Sequence, residues 1–322
     1  MSDKLHQGND ASSSEGLSLA EETTPNSLAH TVATLAVIII PFLGVIAAMI
    51  LLWQEWFFFT DIVLGFVLYV FTALGVTVGF HRLLTHRSFD TGPFIRRLLT
   101  IAGSCAVEGT PTSWVADHRR HHRHSDEPGD PYSPNLDEGD GLMSALQGAW
   151  HAHVGWLITM GSAKEDVFTP DLLEDDVVMS VDRNFFRLYL PLSFGFPAFA
   201  GFLLTGLRWQ GLVTGFVWAG LVRIFLTHHI TWSVNSICHM FGRRPFESGD
   251  LSTNNWLLAI PTMGEAWHHN HHTFPTSAFH GLTPKERMFD PSGWVIWTME
   301  KLDLAWNVKR INPEKMDAKR RK

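Results

Sequence analysis

Four long stretches without acidic residues alternate with polar segments along this chain of 322 residues. A helix needs about 20 apolar residues to cross a bilayer. The first three stretches carry no charge at all. The fourth contains only Arg223, whose long side chain we expect to reach the membrane interface. The pattern predicts an all-α integral membrane protein with four transmembrane helices, at residues 32–53, 62–80, 188–207 and 212–230.

The polar segments set the remaining organisation. Residues 1–30 are rich in Ser and Glu and predict a disordered tail. Residues 31–300 predict one membrane domain, and residues 301–322 predict a basic tail that ends in Lys319-Arg320-Arg321-Lys322. Four spans put both termini on one side. Nine Lys and Arg lie in the segment 81–184, whereas the turn 54–61 has none, so the positive-inside rule places the long polar segments and both termini in the cytoplasm.

Histidines are concentrated in three boxes on that side. The chain has 18 His. Two boxes have the pattern H-x-x-H-H, at His118-x-x-His121-His122 and His268-x-x-His271-His272, and a third is His81-x-x-x-x-His86. Positions i, i+3 and i+4 fall on one face of an α-helix. Each H-x-x-H-H box is therefore predicted to aim three imidazoles at one point.

Neutral imidazole is the commonest metal ligand in proteins. Eight candidate ligands are too many for one ion and suit two. His81 and His86 lie about 140° apart on an α-helix, which predicts that they straddle the end of the second span. There is no H-E-x-x-H zinc motif, and haem uses only one or two axial histidines. The set favours two redox metals that activate oxygen at a membrane face.

Other features narrow the class of protein. The net charge of −7 gives no reason to expect a nucleic-acid partner. Cys105 and Cys238 stand far apart and form no Cys-x-x-Cys motif, which disfavours a disulfide scaffold. The polar start of the chain lacks the apolar core of a secretory signal peptide.

The motifs around the boxes resemble those of the membrane fatty acid desaturases, in particular the acyl-CoA Δ9 (stearoyl-CoA type) branch. The resemblance covers roughly residues 30–300. The matching stretches are His81-Arg82-Leu83-Leu84-Thr85-His86-Arg87-Ser88-Phe89, Asp117-His118-Arg119-Arg120-His121-His122, His153-Val154-Gly155-Trp156-Leu157, Asn235-Ser236-Ile237-Cys238-His239 and 264–275.

The resemblance implies a di-iron centre beneath a cytosolic helical cap that sits on four transmembrane helices. It implies nine histidine ligands and one asparagine that acts through water: His81, His86, His118, His121, His122, His239, His268, His271, His272 and Asn235. It also implies the reaction. With O2 as co-substrate, a cis double bond, expected at Δ9, is inserted into a long saturated acyl chain, and both oxygen atoms leave as water.

Two electrons per turnover come from outside the substrate. The chain has neither a G-x-G-x-x-G fingerprint nor the His-Pro-Gly-Gly signature of a fused cytochrome b5 domain. An external donor is therefore expected: a ferredoxin, a b5-like protein or a flavoprotein reductase. The basic tail could dock an acidic donor, or it could be a solvated or lipid-facing charge run.

Acyl-CoA is the carrier expected from the resemblance. However, Ala116 and Met160-Gly161 stand where animal acyl-CoA members carry the basic residues that hold the phosphates of CoA. Acyl carrier protein or a membrane lipid therefore stays open as the carrier. Four basic residues are candidates to replace the missing ones: Arg119, Arg120, Arg123 and Lys164.

Two other functions stay open. One is hydroxylation of alkanes or acyl chains by the same kind of metal centre, and the other is a histidine-rich metal-binding membrane protein or transporter. A transporter would be expected to carry ionisable residues inside its spans, and among Asp, Glu, Lys and Arg only Arg223 does so here. The lack of targeting signals and of a fused b5 domain favours a bacterial plasma membrane.

Overall fold

The computed structural model describes residues 18–136, 139 and 141–321, and this part of the chain is mostly helical. Four of its helices are long and apolar enough to cross a membrane, which confirms the four predicted spans. The first, second, third and fourth spans are Leu28–Trp53, Phe59–Thr85, Phe185–Leu204 and Trp209–His239. The second and fourth spans are longer than predicted, and both continue into histidine-rich sequence.

Three spans change helix type along their length. The second consists of an α-helix Phe59–Leu74 and a π-helix Gly75–Thr85. The third begins with the π-helix Phe185–Tyr189 and continues as Leu190–Leu204. The fourth comprises Trp209–Thr214, the π-helix Gly215–Val222, Arg223–Ser236 and a 3₁₀ turn Ile237–His239.

The remaining elements lie outside the four spans, and we call them together the cap. The helices are Leu19–Glu22, Pro93–Ser104, Pro111–His124, Leu142–Trp150, His151–Gly155 (π), Trp156–Thr159, Glu165–Phe168, Pro170–Leu173, Asp176–Asp182, His268–Thr273, Pro284–Arg287, Pro291–Lys301 and Pro313–Ala318. Two antiparallel strand pairs join distant parts of the chain: Thr23–Thr24 with Ser162–Ala163, and Asp90–Thr91 with Ala305–Trp306.

Glycine lets the cap pack directly against the second span. A Cβ added at Gly75 would lie only 2.1 Å from the backbone nitrogen of Gly103 in helix Pro93–Ser104. No side chain fits between the two backbones. The π-helical end of the second span is therefore clamped beside this helix, and the residues Gly75–Thr85 are all buried.

Arg223 does not reach the membrane interface, so that prediction is wrong. Its side chain is 3% exposed. The guanidinium donates hydrogen bonds to the carbonyl oxygens of Ala219 (3.2 Å), Cys105 (2.9 Å) and Ser193 (2.9 Å). Because these carbonyls satisfy its donors inside the protein, the charge has no need to reach water.

Both predicted tails contain ordered structure. Residues 1–17 and Lys322 lie outside the described part. Residues 18–30 form a short helix, a strand and the start of the first span, and the buried Glu22 pairs with Arg123 (2.8 Å) and His124 (2.7 Å). Residues 305–321 fold back onto the cap through a strand and the helix Pro313–Ala318. The ordered part of the chain is therefore wider than 31–300.

Candidate metal centre

Nine histidines gather into two groups at one end of the four spans. In each group the ligating ring nitrogens all lie within 4.8 Å of one another. We call them the first histidine cluster, of five residues, and the second histidine cluster, of four. The first is His81, His86, His118, His122 and His271; the second is His121, His239, His268 and His272. These are the nine histidines that the resemblance implied.

Each H-x-x-H-H box is divided between the two clusters. His118 and His122 belong to the first cluster, whereas His121 points to the second. At 100° per residue, positions i and i+4 are 40° apart, but position i+3 is 100° from i+4. The prediction that each box aims three imidazoles at one point is therefore wrong. The split places the clusters side by side, and His118 and His121 ring centroids are 5.8 Å apart.

The π-helix brings His81 and His86 together. In a π-helix the carbonyl of residue i accepts from the N–H of residue i+5. Here the His86 amide donates to the His81 carbonyl at 3.1 Å, and the two ring centroids are 4.8 Å apart. His86 follows the last helical residue, as predicted for a pair at the end of the span. The predicted angular separation assumed an α-helix and does not apply.

The facing nitrogens in both clusters are Nε2 atoms. His271 Nε2 lies 3.1 Å from His81 Nε2 and 2.8 Å from His122 Nε2. In the second cluster, His239 and His268 face each other at 3.0 Å. Unprotonated Nε2 atoms this close would repel one another, and a cation between them removes that repulsion.

Acidic or hydroxyl groups hold the opposite nitrogen of five of these rings. A metal-binding histidine usually donates its other N–H to such a partner, which fixes the tautomer and the ring orientation. The Nδ1 partners are Glu265 Oε2 for His81 (2.5 Å), Tyr132 OH for His118 (3.1 Å), Asp130 for His121 (2.8 Å), Asp126 for His239 (2.9 Å) and Asp250 for His272 (2.6 Å).

Burial favours the neutral form of six of the nine imidazoles. It is the main reason, with neighbouring histidines adding to it, that the pKa values of five of them fall well below the usual range: His86, His118, His122, His268 and His271. Burial also lowers the pKa of His272 to about 4, although Asp250 opposes the shift. A neutral imidazole is the form that binds a metal ion.

His86 gives a further indication of fit. Its Nε2 atom is buried within the first cluster and has no hydrogen-bond partner among the described residues. A buried polar atom without a partner is costly unless a ligand satisfies it. The donor set, the tautomers and this free nitrogen all suit two divalent metal ions.

A buried ionic network contacts the first cluster at His81. Arg82 is fully buried and donates to Glu265 Oε1 at 3.2 Å and to Asp290 Oδ1 at 2.9 Å. Burial raises the pKa of Glu265, but His280, His81 and Arg82 outweigh it and hold the value well below the usual range. Glu265 therefore stays ionised beside His81, where it can orient the imidazole ring.

The aspartates were missed by sequence reasoning. Asp126 and Asp130 follow the His118-x-x-His121-His122 box by a few residues, and that proximity was the available signal. Asp250 lies far from any box in sequence and gave none. His269 belongs to neither cluster, and its Nε2 atom lies 2.9 Å from the carbonyl oxygen of Phe246.

A large cavity leads to the centre. Its volume is about 900 Å³, and its wall includes His81, His118 and His268 as well as Asn235. Along the first span it is lined by apolar residues such as Ile40, which is 49% exposed. The cavity therefore extends from the first span to both histidine clusters.

Glu108 is one of the carboxylates that line this cavity. Glu108 accepts hydrogen bonds from Trp114 Nε1 at 3.1 Å and from Thr231 Oγ1 at 2.7 Å. The Trp114 ring stacks on His118, with ring centroids 5.1 Å apart. Burial raises the pKa of Glu108 to about 7, so the group is near its titration midpoint at neutral pH.

Comparisons with known proteins agree with this architecture. A family model described as "Fatty acid desaturase" matches residues 53–297. A hex-5-enoyl-[acyl-carrier protein] acetylenase of Moorena producens is 40% identical over 88% of this chain and 87% of its own length. An sn-1 stearoyl-lipid 9-desaturase of Anabaena variabilis is 39% identical over 73% and 79%, and an acyl-CoA C20 Delta5-desaturase of Anemone leveillei is 34% identical over 79% and 76%.

The three relatives differ in carrier and in the bond on which they act, but each is similar to this chain over most of its length. With the match over 53–297 and the two clusters at the end of an apolar cavity, the conclusion is that the chain belongs to the fatty acid desaturase family.

Proposed function

We propose that this protein is an O2-dependent fatty acyl desaturase that introduces a cis double bond at Δ9 of a long saturated chain. The observation that carries the proposal is the apolar cavity that ends at two convergent histidine clusters. Family membership supports desaturation in general. The Δ9 position draws on the relatives whose names specify stearoyl-lipid 9-desaturases, from Anabaena and Synechocystis.

Two iron ions are the proposed cofactor. The first cluster would supply five histidines to one ion. The second would supply four to the other, with Asn235, which lines the cavity beside His268, acting through a water molecule. When bound, the iron pair supplies the oxygen activation that removal of hydrogen from a methylene requires. The protein holds one C–C bond of the chain beside the clusters and keeps bulk water away.

The carrier is proposed to be a membrane lipid. The arginines that could replace the missing phosphate ligands of acyl-CoA are engaged within the protein. Arg119 pairs with Asp171, Arg123 pairs with Glu22, and Arg120 donates to the Gly161 carbonyl at 2.9 Å.

The polar end of the cavity also disfavours a CoA phosphate. Its lining includes Asp117 and Glu165, and burial raises the pKa of Asp117 to about 6. At neutral pH such a carboxylate would repel a phosphate. On the opposite side the cavity reaches residues exposed to lipid, including Ile40 and Phe186. A chain attached to a lipid could enter there without leaving the bilayer.

The proposal includes a location. The protein would be a multi-pass protein of the bacterial plasma membrane, with the metal centre and both termini on the cytoplasmic side. The basic segment 81–184 supports this orientation.

The test is the fatty-acid profile of cells that express the chain, with double bonds located by mass spectrometry and lipid classes separated from acyl-CoA. The proposal expects a new Δ9 monounsaturated acid, first in membrane lipid, that disappears in His271→Ala. A hydroxy acid would indicate the hydroxylase alternative. A double bond that appears first in the acyl-CoA pool would contradict a membrane lipid as the carrier. No new acid, with a ferredoxin and its reductase co-expressed, would contradict desaturation.

A further inference from the structure

The C-terminal segment is docked on the cap beside the second histidine cluster. The Glu247 amide donates to the Lys319 carbonyl at 2.7 Å, and the Arg321 amide donates to the Pro245 carbonyl at 3.0 Å. Met316 packs against the buried Phe246. The end of the chain and the loop that follows the fourth span therefore form one continuous surface.

This surface is rich in positive charge, although the whole chain has a net charge of −7. We call it the C-terminal basic face. Its basic residues are Arg243, Arg244, Lys315, Lys319, Arg320 and Arg321, and the exposed acidic residues among them are Glu247, Glu314 and Asp317. Of the acidic three, Asp317 pairs with Arg320 at 3.4 Å. The balance is positive, so the face attracts an acidic partner.

Two short connections join this face to the second cluster. Lys319 Nζ donates to the carbonyl of Thr273 at 3.3 Å, and Thr273 directly follows His272 in the chain. The other connection passes through Phe246, whose ring lies beneath the Arg320 guanidinium, 5.9 Å away. The Phe246 amide donates to His269 Nε2 at 3.1 Å, and His269 directly follows His268. A partner on this face would lie a few residues from two of the four histidines.

The face stands clear of the membrane. The fourth span has 31 residues, whereas a bilayer takes about 20. A stretch of that length from Trp209 ends near His229, so His239 lies roughly 15 Å beyond the hydrocarbon boundary at 1.5 Å per residue. Lys319 contacts the carbonyl of Thr273 next to His272, which belongs to the same cluster as His239, so the face lies at about that height. This height favours a soluble protein over lipid headgroups as the partner.

We propose that the C-terminal basic face is the docking site of a soluble, acidic, one-electron carrier protein that reduces the metal centre through the second cluster. The inference rests on the proposed desaturase function. Each turnover breaks two C–H bonds, forms one C=C bond, and combines the two hydrogen atoms with O2, two electrons and two protons to give two waters. The carrier is oxidised by one electron in each of two encounters.

The test uses the full-length protein in detergent and an acidic [2Fe–2S] ferredoxin as the probe. Lys319→Glu/Arg320→Glu reverses two charges of the face. Lys301→Glu/Lys309→Glu is the matched control, because it makes the same charge change at exposed residues outside the face. Lys319→Gln/Arg320→Gln provides a milder version, and thermal midpoints show that each variant is folded.

We expect the first variant to bind ferredoxin about tenfold more weakly at low salt, with a smaller effect of added salt, and the neutral variant to lie between it and the wild type. The control should bind like the wild type. Equal binding by the first variant and the control would overturn the proposal. The proposal would also be overturned if the wild-type protein did not bind ferredoxin but bound anionic vesicles through these residues.

A single turnover started by dithionite separates the two proposals, because it needs no docking. If the charge-reversed variant desaturates normally in that assay but binds ferredoxin weakly, docking is supported. If even the wild type gives no product while its ferredoxin binding depends on the face, the result contradicts the proposed desaturase function but supports the proposed docking site.

Discussion

Glu108→Gln should remove a pH-dependent loss of stability. In the folded protein Glu108 lines the cavity that leads to the histidine clusters, and burial raises its pKa from the ordinary 4.5 to about 7. A carboxyl group with a raised pKa resists ionisation in the folded state. The loss of folding free energy that comes from ionising buried Glu108 is absent below pH 4.5, grows between pH 4.5 and 7, and is constant above pH 7. Glutamine has the same shape but no proton to lose.

The size of the effect follows from the shift. A difference of about 2.5 pH units corresponds to ~3.4 kcal/mol at 1.36 kcal/mol per unit. For a chain of this size we expect the unfolding midpoint of Glu108→Gln to exceed that of the wild type by roughly 5–10 °C at pH 8, and by only about a quarter of that at pH 5. The hydrogen bonds with Trp114 and Thr231 can be kept by the amide.

The assay is the unfolding midpoint in one detergent, from pH 5 to pH 9, for the wild type and the variant. Titration of the histidine clusters affects both proteins and cancels in the difference. Glu174→Gln, at an exposed glutamate, is the control and should track the wild type at every pH. Parallel curves for Glu108→Gln and the wild type over the whole range would refute the reasoning.

Three further predictions concern the metal centre and its frame. Asp250→Asn weakens the partner of His272 and should lower the affinity of one of the two proposed iron ions about 10–100-fold, so that a chelator removes one ion per chain before the other; joint loss of both would contradict this. His239→Ala should lower iron content in the same selective way and cut desaturation by about 100-fold, whereas full iron content would exclude it as a ligand. Gly75→Ala should cost about 1–3 kcal/mol, measured by the unfolding midpoint, because its Cβ meets backbone at 2.1 Å; Gly195→Ala, with nothing within 4 Å, should cost less.

Structural features that depend on the local sequence alone could be predicted. The four spans and the two H-x-x-H-H boxes depend on runs and spacings within one segment, and both are present in the structure. The pairing of His81 with His86 was predicted only in part, because the i+5 register belongs to a π-helix. The π-helical segment packs against Gly103 and its helix, and no local pattern records that contact.

Features that depend on distant parts of the chain could not be derived from spacing. His239 joins the second cluster from the end of the fourth span and was found only through the family resemblance. Asp250 reaches His272 across 22 positions, and Arg223 reaches the carbonyl of Cys105 across 118. Each of these contacts is made by tertiary packing. The same holds for the C-terminal segment, which was predicted only as a basic tail and whose Ile311 and Met316 pack against the cluster of Phe246, Phe274 and Leu282.

Arg223 also constrains how the protein is made. An arginine near the middle of an isolated helix costs about 2.5–3.5 kcal/mol to insert during translation. Two of its three carbonyl partners belong to segments synthesised earlier, at Cys105 and Ser193. The fourth span should therefore leave the insertion machinery together with the third span rather than alone. An Arg223→Leu chain would be expected to insert more readily, yet assemble with the two earlier carbonyls left unpaired.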